Sequence, residues 1–249
     1  MKRHIPNLIT FLNLLCGCIA AVFAVLNQLE LAAFLVLAGI FFDFLDGFAA
    51  RLLNIKSDLG LQLDSLADMV TCGLVPGIIM FQLLGMSMSG GWNLDFSSQA
   101  TNDTFWIGLK LSPLPFIGFL ITLASAYRLA NFNIDENQVS SFTGLPTPAN
   151  ALLIISMPLI LLYHGNDLLN GIILNQWFLI GTTILSAYLL NSNIELFALK
   201  FENWGFKDNS QRYIFIIVSL VLLMTMKFLA VPAIITFYIL SSLVGSLKT

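Results

Sequence analysis

The chain has 249 residues, of which 57% are hydrophobic and only 10% charged, with a mean hydropathy of +0.87; soluble domains carry about a quarter charged residues, so a soluble globule is excluded. Eleven Lys and Arg against fourteen Asp and Glu leave a net charge of −3, which excludes the basic surface that duplex nucleic acid requires, and no nucleic-acid partner is expected. Counting stretches of about twenty mainly apolar residues, enough to cross a bilayer, predicts an all-α polytopic membrane bundle of eight transmembrane helices in a single domain, 1–249.

The first predicted span, 8–26, follows Lys2 and Arg3 and so imitates a secretory leader. Asn27 and Glu30 lead straight into the next span with no small-residue cleavage pattern, and the segment is expected to be retained. Its Cys16 and Cys18, like Cys72 further on, read as small apolar packing residues rather than a disulfide or zinc framework. The second and third spans, 31–53 and 61–84, carry Asp43, Asp46, Arg51, Lys56, Asp58, Asp64 and Asp68 at and between their facing ends. The fourth, 111–129, follows a long loop, 85–110, whose Trp92 and Trp106, with Trp177 of the sixth span, read as interfacial anchors. Spans five to eight are 149–163, 177–190, 213–226 and 229–244; the fifth to seventh are short. Placing the N-terminus in the cytoplasm puts both termini and nine of the eleven basic residues on that side, leaving only Lys110 and Lys227 outside. That asymmetry predicts an inner (plasma) membrane protein with the aspartate-rich ends facing the cytoplasm.

A charged residue at the centre of a membrane helix costs about 2.5–3.5 kcal/mol on insertion scales, so the aspartates need a reason. Asp43 and Asp46 are three apart and Asp64 and Asp68 four apart, which puts each pair on one helical face. Two neighbouring helices then present four carboxylates to one another, and Arg51 alone cannot neutralise them. Hard oxygen donors of this kind select magnesium, manganese or calcium, and with only His4 and His164 in the chain a histidine-rich site is excluded. Gly47 and Gly60 either let a ligand approach the two helices or let the helices pack closely. With Arg51, whose guanidinium suits phosphate oxygens, the set points to phosphoryl chemistry on a nucleotide-like or lipid phosphate.

Written as a pattern, the segment 43–68 is Asp43-x-x-Asp46-Gly47-x-x-Ala50-Arg51, eight residues, Gly60-x-x-x-Asp64-x-x-x-Asp68. It resembles, at every defined position, the signature of the CDP-alcohol phosphatidyltransferase family, integral membrane enzymes that displace CMP from a CDP-linked lipid or alcohol with a second substrate's hydroxyl. The resemblance implies that Asp43, Asp46 and Asp64 hold two divalent ions, Mg2+ or Mn2+, with Asp68 completing the metal site and acting as base and Arg51 steadying phosphate charge. It also implies a homodimer.

Three further stretches resemble the branch of that family that uses serine as acceptor: Pro6-Asn7-Leu8-Ile9-Thr10-Phe11-Leu12-Asn13 with Gly17, Arg128-Leu129-Ala130-Asn131-Phe132-Asn133, and Phe142-Thr143-Gly144-Leu145-Pro146-Thr147-Pro148-Ala149-Asn150-Ala151. Asn131 and Asn150 depart from the arginine and alanine expected there. This implies CDP-diacylglycerol and L-serine as substrates, with membrane lipid around them. Asn7 and Thr10 either contact the nucleotide or cap the first helix. Arg128, with Asn131, either holds an acceptor carboxylate from a cytoplasmic loop running from 128 to 147 or snorkels at a span end. Gly144 either borders the substrate or makes a rigid turn into the fifth span. The alternatives are the same chemistry on glycerol 3-phosphate, an inositol phosphate or choline, and an ion transporter with intramembrane carboxylates, against which the absence of a repeated polar break argues.

Overall fold

A computed structural model describes residues 4–54, 57–89, 112–134, 142–196 and 209–246. The long loop with Trp92, Trp106 and Lys110, the start of the fourth expected span at 111, and Lys2, Arg3, Lys56, Lys200, Lys207 and Lys248 lie outside the described residues.

Helix α1 (Ile5–Val25) starts on a proline in its first turn, where the missing N–H costs nothing. Its buried residues, Thr10, Asn13, Gly17, Ala20 and Ala24, recur every three or four positions and are all small or polar, while Leu8, Leu12, Leu15 and Val22 point outward. This inverts a soluble amphipathic helix: large apolar side chains face lipid, and small ones let backbones approach. The chain reverses at Asn27, whose φ is 57°, into α2 (Leu29–Leu52), which lies along α1 with its own small stripe, Ala32, Ala33, Val36 and Gly39.

Ser57 caps α3 (Asp58–Asp68) by accepting from the Gly60 amide at 3.0 Å. The rod continues without interruption through a π-helical segment, Met69–Leu74, into α4 (Val75–Ser89). Val75 to Leu84 of α4 are buried except Phe81, making it the bundle's central helix, so it is apolar on all sides. The third rod is therefore longer than the expected 61–84. A 3₁₀ segment, Leu114–Phe119, leads into α5 (Leu120–Ile134), and Phe81, Phe116 and Phe119 join it to α4, with Phe81 and Phe116 edge-to-face at 5.2 Å.

After α6 (Thr147–Tyr163), a short α7 (Asp167–Ile173) meets α8 (Gln176–Leu190) at a 58° bend. Trp177 is 78% exposed in the first turn of α8. A two-residue antiparallel pairing, β1 (Phe142–Thr143) with β2 (Glu195–Leu196), ties the entry of α6 to the exit of α8. Helices α9 (Ser210–Met226) and α10 (Ala230–Ser246) close the chain. Straight propagation at 1.5 Å per residue would separate Phe215 from Phe237 by about 33 Å, yet their rings stack at 6.0 Å. The two helices are therefore a hairpin that reverses at Lys227, φ 49°.

Among the described residues each of the eight expected segments is mainly helical, the fourth from Leu114 onward. Ile5–Val25, Leu29–Leu52, Asp58–Ser89 and Leu114–Ile134 are each long and apolar enough to cross a membrane, and α7 with α8 qualify as a bent pair. The stretch Arg212–Leu243 also qualifies by length, but its limbs, like α6, have 17 residues each, about 26 Å against a hydrocarbon core of about 30 Å.

Candidate active site

The first four helical segments build the site. Within α1, Asn13 and Gly17 sit one turn apart against the π-helical segment. A Cβ on Gly17 would fall 2.4 Å from Thr71 Oγ1 and 3.1 Å from the Thr71 backbone; one on Gly39 of α2 would fall 2.6 Å from Thr71 Cγ2 and 2.9 Å from Asn13 Oδ1. Three backbones meet here because two of them carry glycine. Thr71 Oγ1 donates to the Asn13 carbonyl at 3.2 Å, and Asn13 Nδ2 donates to Asp68 Oδ1 at 3.2 Å. Asn13 is fully buried and Asp68 9% exposed.

One turn nearer the helix ends, Thr10 Oγ1 donates to Asp46 Oδ2 at 2.6 Å and lies 3.1 Å from the Pro6 carbonyl. Asp43, Asp46 and Asp64 each bring one carboxylate oxygen within 4.8 Å of the others. The Asp43–Asp46 pair expected from spacing thus converges with Asp64 across α2 and α3, whereas Asp68 stands one turn beyond Asp64, held by Asn13 rather than joining that triad. Asp43 and Asp64 face each other with carboxylate oxygens, and Asp64 Oδ1 is buried with no partner among the described residues. Acceptors facing acceptors leave lone pairs without donors, a set that fits a hard divalent cation.

A cavity of about 490 Å³ opens beside the triad, lined by Asn7, Thr10, Asp46, Gly47, Ser57, Gly60 and Asp64 among others. Gly47 has nothing within 4 Å of its Cβ position, so it leaves open space, whereas a Cβ on Gly60 would meet Ser57 Oγ at 2.9 Å and Asn7 Oδ1 at 3.3 Å. Of the two readings for these glycines, approach space holds at Gly47 and close packing at Gly60. Neither Asn7 nor Thr10 caps α1, whose N-cap is His4 with no side-chain bond. Arg51 is exposed and its Nε donates to the Gly47 carbonyl at 3.0 Å, which places it at the rim rather than in the lining.

The acceptor-side residues fall elsewhere than a loop. Helix α5 runs on to Ile134, so Arg128, Asn131 and Asn133 occupy its last two turns, and only 135–141 of the expected loop lie outside the described residues. Asn133 ties this end to α3, accepting from Ser65 Oγ at 3.0 Å and donating to Gln62 Oε1 at 3.3 Å. Arg128 and Asn131 line a second, polar cavity of about 100 Å³ with Asn191, Ser192 and Asn193. Gly144 lines neither cavity. Its φ of 73° and the Leu190 carbonyl 2.6 Å from its Cβ position require glycine, and its amide donates to the Ile194 carbonyl at 3.0 Å; the rigid-turn reading is the one the geometry supports. Sequence reading gave Asn13 no role and passed over Asn191–Asn193, although a lone asparagine amid the apolar run 8–26 is itself a signal.

The family model for CDP-alcohol phosphatidyltransferases matches residues 3–188. A CDP-diacylglycerol–serine O-phosphatidyltransferase of Bacillus subtilis is 32% identical over 197 residues, 78% of this chain and 89% of that protein. One from Helicobacter pylori is 31% identical over 204 residues, 81% of this chain and 75% of its own length. An archaetidylserine synthase of Methanothermobacter thermautotrophicus is 29% identical over 155 residues, 61% of this chain and 56% of its own. With its carboxylate triad formed at the signature positions and the match covering most of its length, the chain belongs to the CDP-alcohol phosphatidyltransferase family.

Proposed function

We propose that this chain is a CDP-diacylglycerol–serine O-phosphatidyltransferase, acting as one domain over 1–249, in which the serine hydroxyl displaces CMP to give the serine phospholipid. The observation that carries the reading is the convergence of Asp43, Asp46 and Asp64, the last two of which line a cavity large enough for a diphosphate, in a chain similar over most of its length to serine-using relatives. Asp43, Asp46, Asp64 and Asp68 would hold two divalent ions, Mg2+ or Mn2+, which when bound neutralise the diphosphate and the leaving CMP.

The chain's own groups do the rest. Asn7, Thr10 and Gly47 border the space for the cytidine diphosphate, Gly60 fixes α3 against α1 beside it, and the acyl chains stay in lipid along α2 and α3. Asp68 takes the proton from the serine hydroxyl as its oxygen bonds to phosphorus and the bond from phosphorus to CMP breaks. Asn13 aims that carboxylate. Arg51, one turn from Gly47, steadies phosphate charge from the rim. Arg128 takes the acceptor carboxylate, with Asn131 beside it. A covalent intermediate is not part of this reading, because His4 and His164 are each followed by residues unlike a histidine-lysine nucleophile pair.

The reading places both termini and the site at the cytoplasmic face of the plasma membrane, in keeping with the basic-residue asymmetry, and includes a homodimer, which light scattering in detergent checks. Its test is purified protein with CDP-diacylglycerol, Mg2+ or Mn2+ and a panel of acceptors, following CMP release. L-serine should outcompete glycerol 3-phosphate, inositol phosphate and choline. A phosphate acceptor as the better substrate would overturn the serine reading.

A further inference from the structure

The cavity between the ends of α5 and α8 is small and mostly polar, and two of its sides come from different parts of the chain. One side is Arg128, Asn131 and Phe132 of α5; the other is Leu190, which ends α8, and Asn191–Asn193 after it, all past the last residue matched by the family model. Its volume is about 100 Å³, room for a small polar ligand. Arg128 Nε is buried with no hydrogen-bond partner among the described residues, so the guanidinium has unmet donors. The same guanidinium is close enough to Asp68 to interact with it electrostatically, so this cavity lies on the side of the fourth aspartate.

The opposite wall supplies the complementary group. Asn191 Nδ2 donates to the Ala124 carbonyl at 3.0 Å and lies 3.4 Å from the Ala187 carbonyl. Two carbonyls on one side of the amide fix which end is nitrogen, leaving Oδ1 as the group's remaining polar atom, an acceptor with two lone pairs. A zwitterion needs a cation for its carboxylate and oxygen acceptors for its ammonium. Arg128 is the first; the Asn191 amide oxygen belongs to the second.

We propose that this cavity is the amino-acid pocket, in which Arg128 binds the acceptor's carboxylate and Asn191, with Ser192 and Asn193 completing the wall, receives its ammonium. The assignment rests on the serine reading above and extends the acceptor site into a segment beyond the family match. It makes the pocket selective for a molecule carrying both charges. Ethanolamine, which lacks the carboxylate, and 3-hydroxypropionate, which lacks the ammonium, each satisfy only one wall.

The test compares kcat/KM for L-serine, ethanolamine and 3-hydroxypropionate in the full-length enzyme with CDP-diacylglycerol. Arg128→Ala should shrink the preference for serine over ethanolamine about tenfold or more, the scale of a charged hydrogen bond, while leaving serine against 3-hydroxypropionate unchanged. Asn191→Leu should do the reverse, a split that a general loosening of the fold does not produce. Because Asn191 also ties α8 to α5, Asn193→Leu is the second arm: it should raise the KM for serine about tenfold and leave that for CDP-diacylglycerol within twofold. Equal losses on all acceptors in Asn191→Leu, or an unchanged serine KM in Asn193→Leu, would overturn the pocket. Failure of the wild type to use serine at all would instead remove the reading on which it rests.

Discussion

Replacing Asn13 by alanine isolates one hydrogen bond. The Asn13 side chain donates to Asp68 Oδ1 at 3.2 Å, while the bond that Thr71 makes to residue 13 goes to its main-chain carbonyl and survives the substitution. Alanine is the best helix former, so α1 is not weakened by its own propensity. What is lost is a donor to a carboxylate, about 1.5–3 kcal/mol, and if Asp68 must be aimed at the acceptor hydroxyl this appears in the transition state as a fall in kcat of about 10- to 150-fold. The assay is initial-rate CMP release in mixed micelles, with thermal unfolding measured alongside to confirm that the helices are retained. A companion Asp68→Asn variant sharpens it: in that background Asn13→Ala should cost little more, because two groups acting through one bond are not additive. Asn13→Ala with kcat within twofold of the parent would refute the positioning role, and full additivity would show that Asn13 acts through something other than Asp68.

Chelation should abolish turnover, and Asp43→Asn, Asp46→Asn or Asp64→Asn should each lower it at least about 100-fold, near 3 kcal/mol of transition-state stabilisation; near-normal rates at matched protein levels would remove that residue from the metal site. In metal-free protein the Asp64→Asn variant should melt above the parent, and equal or lower melting would deny that Asp43 and Asp64 repel. Gly17→Ala should destabilise by about 1–3 kcal/mol, because its methyl would meet the Thr71 backbone at 3.1 Å as well as the hydroxyl; an unchanged melting temperature would mean α1 can back away. Cysteines placed at Ser57 and Asn203 should be labelled from the cytoplasm and one at Ser98 from outside, and the opposite pattern would invert the orientation.

The aspartate faces were legible because helical period alone determines them: separations of three and four residues put each pair on one side whatever the helices pack against. The convergence of those faces was not. It depends on how closely α1, α2 and the π-helical segment approach, and that approach is set by Gly17, Gly39 and Thr71, which in a hydropathy reading are weak members of apolar runs. The acceptor side was misplaced for a related reason. Apolar content falls after Leu129, which ends the span in a hydropathy reading, but no Pro or Gly from Ala130 to Ile134 terminates the helix; α5 keeps Arg128 and Asn131 on its last two turns instead of releasing them to a loop. Asn191–Asn193 looked like the end of a span because nothing nearby in sequence marks a site. Their partners, Arg128 and Ala124, lie more than sixty residues earlier.

The partners of the four carboxylates divide them by need. Asp46 has the Thr10 hydroxyl and Asp68 the Asn13 amide, each on the first helix and each satisfying one oxygen. Asp43 and Asp64 have chiefly each other. The nearby guanidiniums do not correct this: Arg51 is engaged with the Gly47 carbonyl at the rim, and Arg128 acts on Asp68 from the other cavity. Since ionised carboxylates in contact repel more strongly as water is withdrawn, the pair must keep water, share a proton or receive a cation. The cavity at Asp64 allows the first, and a divalent ion would satisfy both carboxylates at once and supply the positive charge that a diphosphate needs. The cluster that makes the bundle hard to insert is thus the part whose stability would gain most from a bound ligand, and Asp43 and Asp64, the residues least supported by the protein, are the ones on which the proposed metal would act most.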